Sequence, residues 1–264
     1  MMRYTIRYVS LLAGMLTVFS SCEHKDLCFD HEAHAPKSDV HVKAVYEKEW
    51  EHTCEGGPDW KQYPAWESRF GMEYHELCPD DPDGLRVQVY NEDGTNNILN
   101  VASEGDIVRM RPGEHSLLLY NNDTEYIVFD DMNSFASAKA TTRTRTRASY
   151  AGNPFMGNTA ENTVNAPDML YGNYIESYTA ERKTEIDELP VTMHPLVFTY
   201  LVRYEFSHGL EYVALAHGAL AGMAGAVWLN SGRTSEEAAT ILYDCTVEDF
   251  GAQACVQSFG IPDY

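Results

Sequence analysis

The chain has 264 residues, 44% of them hydrophobic, which is enough for a packed core spread over one large or two small domains. Forty acidic residues against nineteen basic ones give a net charge of −21. This excludes a nucleic-acid binder built on a basic face and describes a surface that repels anionic partners. No apolar run reaches the roughly 18 residues of a membrane-spanning helix. Six cysteines are too few for a disulfide-built miniprotein and too scattered for a zinc ribbon.

Residues 1–21 read as a lipoprotein signal peptide. Arg3 and Arg7 supply a positive start, Val9 to Phe19 an apolar core, and Ser20-Ser21 the small residues directly before Cys22. Phe19 stands where Leu, Val or Ile is usual. Acylation of Cys22 is the expectation, and membrane lipid the first expected partner. Several acyl chains, at ~0.8 kcal/mol per buried methylene, hold such a protein on a membrane without spanning it. Residues 22–37 then form a polar tether. His24, Cys28, Asp30, His31 and His34 carry metal-donor atoms, but their spacing matches no closed zinc pattern and a tether does not preorganise ligands. No metal site is assigned there.

Period-two alternation begins at Val40, where Val40, Val42, Ala44 and Tyr46 alternate with polar residues, as in a half-buried strand. Leu85, Val87 and Val89 repeat it, followed by an Asn91-Glu92-Asp93-Gly94 turn. Further strands are expected at Ile98–Ala102, Ile107–Arg111, Ser116–Tyr120 and Glu125–Phe129, separated by turn residues. Residues 38–149 thus read as an antiparallel sandwich.

The insert at 47–83 carries Trp50, Trp60, Tyr63, Trp66, Phe70 and Tyr74 among four prolines. Loops of this length are functional or disordered. Trp50, Trp60 and Trp66 either stack on a ligand such as a glycan or cover the sandwich edge as a satellite core. Cys54 and Cys78 would close this loop as a disulfide worth ~3 kcal/mol.

Arg143, Arg145 and Arg147 alternate with threonines, as in a charged edge strand or an exposed, protease-sensitive segment. Residues 150–190, rich in Gly, Pro, Asn and Tyr, read as a surface connector. From Leu196 the even positions are apolar through Phe206, which predicts a long strand. Around Gly218, Gly222 and Gly225 a strand runs into a glycine-rich bend packed closely on a sheet. Thr240–Val247 and Gln253–Phe259 are two more strands, and Cys245 and Cys255 flank the turn between them closely enough to pair. Residues 191–264 make a second sandwich with fewer obvious strands than the seven usual for that architecture. No nucleophile elbow, phosphate loop or dinucleotide fingerprint occurs, and His75-Glu76 lacks the second histidine of a zinc protease. No catalytic residue and no cofactor is assigned.

The segment Cys22-Glu23-His24-Lys25-Asp26-Leu27-Cys28-Phe29-Asp30-His31 resembles the start of a lipoprotein family of Bacteroides-type bacteria, long classed as a domain of unknown function. That family is similar to the anchor and minor subunits of the fimbrillin superfamily. Ala140–Thr144, Pro167–Tyr171 and Leu220–Gly225 resemble it too. The resemblance implies an all-β protein of two transthyretin-like sandwiches on a lipid anchor at the cell surface. It implies a role in anchoring or regulating fimbriae or in adhesion, and partner subunits joined by strand complementation. Only Cys22, as the lipidation site, carries over as a functional residue. The insert at 47–83 is longer than the family pattern and the second sandwich shorter, which leaves that sandwich either an acceptor for a donated strand or incomplete.

Overall fold

A computed structural model of the chain describes residues 38–48, 66–146, 161–183 and 185–263. The expected signal, Cys22, the tether, Trp50, Trp60, Cys54 and Arg147 lie outside the described residues.

The first strand is β1 (Ser38–Tyr46), followed by a short helix α1 (Trp66–Phe70) and a 3-10 turn at Tyr74–Leu77. Then come β2 (Gly84–Asn91), β3 (Asn96–Ala102), β4 (Ile107–Met110), β5 (Gly113–Asn121), β6 (Ile127–Asp130) and β7 (Lys139–Thr142). The chain continues through β8 (Thr163–Asn165), β9 (Tyr171–Ala180), β10 (Asp187–Pro195) and β11 (Phe198–Glu205). It closes with β12 (Ala216–Ala224), β13 (Ala226–Trp228), β14 (Ala238–Glu248) and β15 (Gly251–Ser258). Every strand read from alternation is present, and the architecture is all-β.

Seven strands form one sheet in the order β3-β2-β5-β9-β10-β1-β4. The Asn91–Gly94 turn joins β2 to β3, with the Asn91 N–H donating to the Thr95 carbonyl at 2.8 Å. Val108 on β4, Val40 on β1 and Val87 on β2 share one core, so the sheet curls until its two ends face each other. Burial of these aliphatic side chains, at about 1.5–3 kcal/mol each, is what holds that curl. Most pairings are antiparallel. The exceptions are β1 with β10 and β14 with β8, which run parallel.

Strands β2 and β5 are buried on both faces. Val87, Val89, Leu117 and Leu119 point into the first core, while Tyr90, Leu118 and Tyr120 point out of the curled sheet. There they meet a three-stranded sheet, β13-β7-β6, through Ile127, Ala140, Val227 and Phe259 in a second core. Gln88 lies in this layer with both ends satisfied: its amide donates to the Met132 carbonyl at 2.8 Å and its oxygen accepts from the Tyr120 hydroxyl at 3.1 Å. A third core lies between β12-β14-β8 and β11-β15.

Several expectations are corrected here. Residues 150–190 do not form a surface connector throughout. They supply β8, β9 and the start of β10, and β9 sits at the middle of the seven-stranded sheet. Tyrosines and asparagines obscured this strand because Tyr174 and Glu176 face outward while Tyr171 and Ala180 are buried. The boundaries at 149 and 191 do not separate cores, since β7 pairs with β13 and β8 with β14, and residues 37–264 hold together as one unit. The arginine repeat is neither an edge nor a loose segment as far as residue 146. The Arg143 N–H donates to the Tyr126 carbonyl and the Arg145 N–H to the Thr163 carbonyl, and the Arg145 side chain donates to the Leu242 carbonyl and to both oxygens of Asp244.

Cys245 and Cys255 do not pair; both are free thiols. Register explains it. Thr246 lies opposite Gln253, so Cys255, two residues on, shares their face, while Cys245, next to Thr246, points to the other. Cys245 packs against the third core and Cys255 is exposed.

Candidate functional site

The third core is the smallest and is open along one side. In its sheet, β15 pairs with β11 through eight residue pairs, from Phe198 opposite Ser258 to Glu205 opposite Gly251. Beyond β11, and beyond β12 at the other end, no further strand follows among the described residues. Burial follows this topology. On the central strands, Ile241, Tyr243, Ala254 and Val256 are buried. On the end strands, Tyr200, Val202 and Leu220 are only partly buried although they point into the same core. The two open edges therefore flank an apolar groove whose inner side chains lack a cover.

Hydrogen-bond phase identifies which backbone groups are presented. The Phe206 N–H donates to the Phe250 carbonyl at 2.9 Å, continuing the register of β11 with β15. In an antiparallel ladder, bonded pairs recur every second residue, so the even residues of β11 face β15. Thr199, Leu201, Arg203 and Glu205 then present their N–H and C=O groups to the open edge.

Strand β12 is shaped by its glycines, as the sequence suggests. Gly218 lies opposite Tyr243, and the Tyr243 ring occupies the space a Cβ at 218 would need. Gly222 has φ +77° and sits in a bulge between Leu220 and Met223. The bulge lets both Leu220 and Met223, an odd number of residues apart, face the core. At one end of the groove, the hydroxyls of Tyr204 and Tyr243 are 2.8 Å apart.

The described part of the aromatic insert lies across the outer face of β11 and β15. Arg203 donates to the Arg69 carbonyl, and the Gln253 amide donates to the Phe70 carbonyl at 3.1 Å. Trp66 packs on Phe70 with ring centres 4.5 Å apart and edge-on to Tyr74 at 5.3 Å. These rings and Phe198 line a cavity of about 410 Å³. Trp66 is half-buried, and within the described residues the insert packs over β11 and β15. Cys78 lines the same cavity, half-buried. His75 belongs to the 3-10 turn, where Glu73 and Glu76 form a capping box. Sequence reasoning did not single out the β11 edge residues, because an edge strand and a central strand carry the same alternation.

An ion cluster sits on the outside of β14. Asp244 accepts from Arg145 at 3.0 Å and lies 2.7 Å from His217 Nδ1. Burial acts to raise the Asp244 carboxyl, but the hydrogen bonds from Arg145 and His217 outweigh it and hold it below its ordinary range. Tyr171, buried in the first core against Tyr46, is pushed up to about 12 by burial and by the nearby Asp81 charge.

Comparison with known proteins gives a consistent picture. A curated protein of Bacteroides ovatus, provisionally named fimbrium anchoring subunit Fim4B, is 27% identical over 173 residues, covering 65% of this chain. The chain spans half the length of that relative. A crystal structure of a Bacteroides ovatus protein, provisionally described as an adhesin, superposes with a TM-score of 0.62 at 22% identity, over 92% of this chain and 72% of the other. A second Bacteroides ovatus structure of the same description gives 0.52 at 10% identity, over 92% and 73%. These likenesses establish the fold. The resemblance read from the sequence, to a Bacteroides-type family related to fimbrial subunits, is borne out. With residues 62–244 matching its family profile, the chain belongs to the family described as a Domain of unknown function (DUF5119).

Proposed function

We infer that this protein is a non-enzymatic, cell-surface subunit of a fimbrial or adhesive assembly, anchored in the outer membrane by acylation of Cys22. The working surface is the groove between β11 and β12, which receives a strand from a partner subunit. The observation that carries this reading is that Tyr200, Val202 and Leu220 on the end strands stay only partly buried, while Ile241, Tyr243, Ala254 and Val256 between them are buried. An added strand would satisfy the edge backbone groups and cover Tyr200, Val202 and Leu220 together. The relationship to a provisional fimbrium anchoring subunit supports the same role.

Two measurements test it. Radiolabelled palmitate fed to the native host should enter the protein, and Cys22→Ala should abolish the label and release the chain from the membrane. Pull-down of the lipidated protein from its native outer membrane should recover fimbrial shaft or tip subunits by mass spectrometry. An unlabelled wild type would remove the anchor. Recovery of the protein alone, or with a nutrient-uptake complex, would remove the assembly role.

A further inference from the structure

The groove of the third core leaves another concavity unexplained, on the far side of the small sheet. Its floor is the outer face of β6, β7 and β13. Register aligns Asp130, Lys139 and Trp228 in one row across the three strands. The opposite face of this sheet, with Ala140 and Val227, is buried in the second core, so the row faces away from the protein. The walls come from the start of the β8 segment and from the chain between β13 and β14. The enclosed volume is about 870 Å³, within the ~300–1,000 Å³ of small-ligand sites.

The hydrogen-bonding inventory of this cavity is mixed. Lys139 is held by Asp131 at 2.9 Å and Asp130 at 3.6 Å, with its ammonium 5.7 Å from the Trp228 ring centre. Arg233 is held by Asp263 at 2.6 Å. Each cation in the lining is thus already matched to a carboxylate. Uncommitted groups of both kinds remain: among the described residues, the Trp228 indole N–H and the Asn162 amide bond no protein group, nor do the Glu236 and Glu237 carboxylates.

We propose that this cavity binds a neutral oligosaccharide, with the Trp228 indole as its apolar platform and Asn162, Glu236 and Glu237 reading its hydroxyls. A sugar hydroxyl both donates and accepts, so it needs neighbours of both kinds side by side. A purely cationic ligand would need acceptors alone, and the free indole and amide N–H groups do not suit one. An acidic sugar is excluded by charge: four carboxylates line the cavity against two neutralised cations, on a chain of net −21. The indole ring, half-buried and fixed beside Lys139, offers an apolar surface with little rotamer freedom left to lose on binding. This site is remote in sequence from the tryptophans of the 47–83 insert and independent of strand acceptance at β11.

The test is binding of the purified full-length chain in detergent to an array of neutral and sialylated oligosaccharides, followed by fluorescence titration with the best neutral binder. The expected result is binding confined to neutral structures. Trp228→Ala should weaken it about tenfold or more, as loss of a central aromatic anchor does. Asn162→Ala, at an exposed position whose side chain makes no protein hydrogen bond, should weaken it about three- to tenfold without touching the fold. Trp66→Ala should leave it unchanged. Absence of neutral-glycan binding, preference for sialylated structures, or full affinity in Asn162→Ala would each overturn the proposal. The Asn162 variant decides the matter even where Trp228→Ala fails to fold.

Discussion

The hydroxyl of Tyr204 on β11 and that of Tyr243 on β14 meet at 2.8 Å, tying an end strand of the five-stranded sheet to its interior at the mouth of the open groove. Among the described residues β11 has only β15 beside it, so this bond is a tie that limits how far the groove can widen. Tyr204→Phe should lower stability by about 1 kcal/mol, the usual net value of such a bond. Urea unfolding at fixed m-value would measure it, and an unchanged midpoint would show that the tie contributes nothing.

Gly218 and Tyr243 form the second tight pair, with the ring filling the place of a side chain. Gly218→Ala should cost about 1–3 kcal/mol through overpacking. If ring contact is the cause, the alanine should cost much less in a Tyr243→Ala background, because the two changes act on one contact. Additive effects in that double-mutant cycle would point to backbone strain at 218 instead.

The phase of the β11 ladder makes a sharper prediction. Proline lacks an N–H and is tolerated only where that group faces away from a neighbouring strand. Thr199→Pro should therefore leave folding nearly intact while blocking strand acceptance, whereas Tyr200→Pro should break the pairing with β15 and cost about 3 kcal/mol or more. Thermal unfolding separates the two variants, and co-purification of the partner subunit reads the edge. Equal damage from both prolines would contradict the assigned phase.

The Asp244 cluster gives a pH dependence of definite sign. Its carboxyl is held below the ordinary range when folded. The stability it contributes is fully present above the unfolded-state value of about 3.9 and is lost as pH falls through the lowered folded value. The stability difference between wild type and Asp244→Asn should thus be constant near neutrality and shrink on acidification below about pH 4. A difference that grows in acid would reverse the assignment. Asp244 is largely exposed, so the effect should be modest.

The two C-terminal thiols should also be distinguishable. Cys255 is exposed and Cys245 faces the third core. Iodoacetamide should label Cys255 in the folded protein and Cys245 only after unfolding without reductant. Failure of both to label in non-reducing denaturant would restore a disulfide between them.

Alternation found most of the strands but not β8, β9 or β13. The run at Val40 alternates because one face is buried and the other is not, and that is a local property. The turn at Asn91–Gly94 and the glycine bend at Gly218–Gly225 were legible for a similar reason: positive φ and close approach restrict the residue type at the position itself. Strand β9 was hidden because polar and aromatic side chains fill its outward face. The pairing of Cys245 with Cys255 looked plausible from spacing and failed on strand phase, which the spacing alone does not carry.

What the sequence by itself determined is the all-β class, the acidic balance and the family. Each rests on composition or on short motifs. Only the tertiary structure decided which strands lie at the ends of their sheets, because alternation is identical in a central strand and an edge strand. It also decided that Trp66 packs on Phe70 beside β11 while Trp228 lies on the outer face of β13, since half-buried indoles look alike until their neighbours are in place. The parallel pairing of β1 with β10 likewise joins segments more than a hundred residues apart, and no local signal fixes such a partner. Long-range register, set by the simultaneous packing of three cores, is where the candidate groove and the candidate glycan site arise.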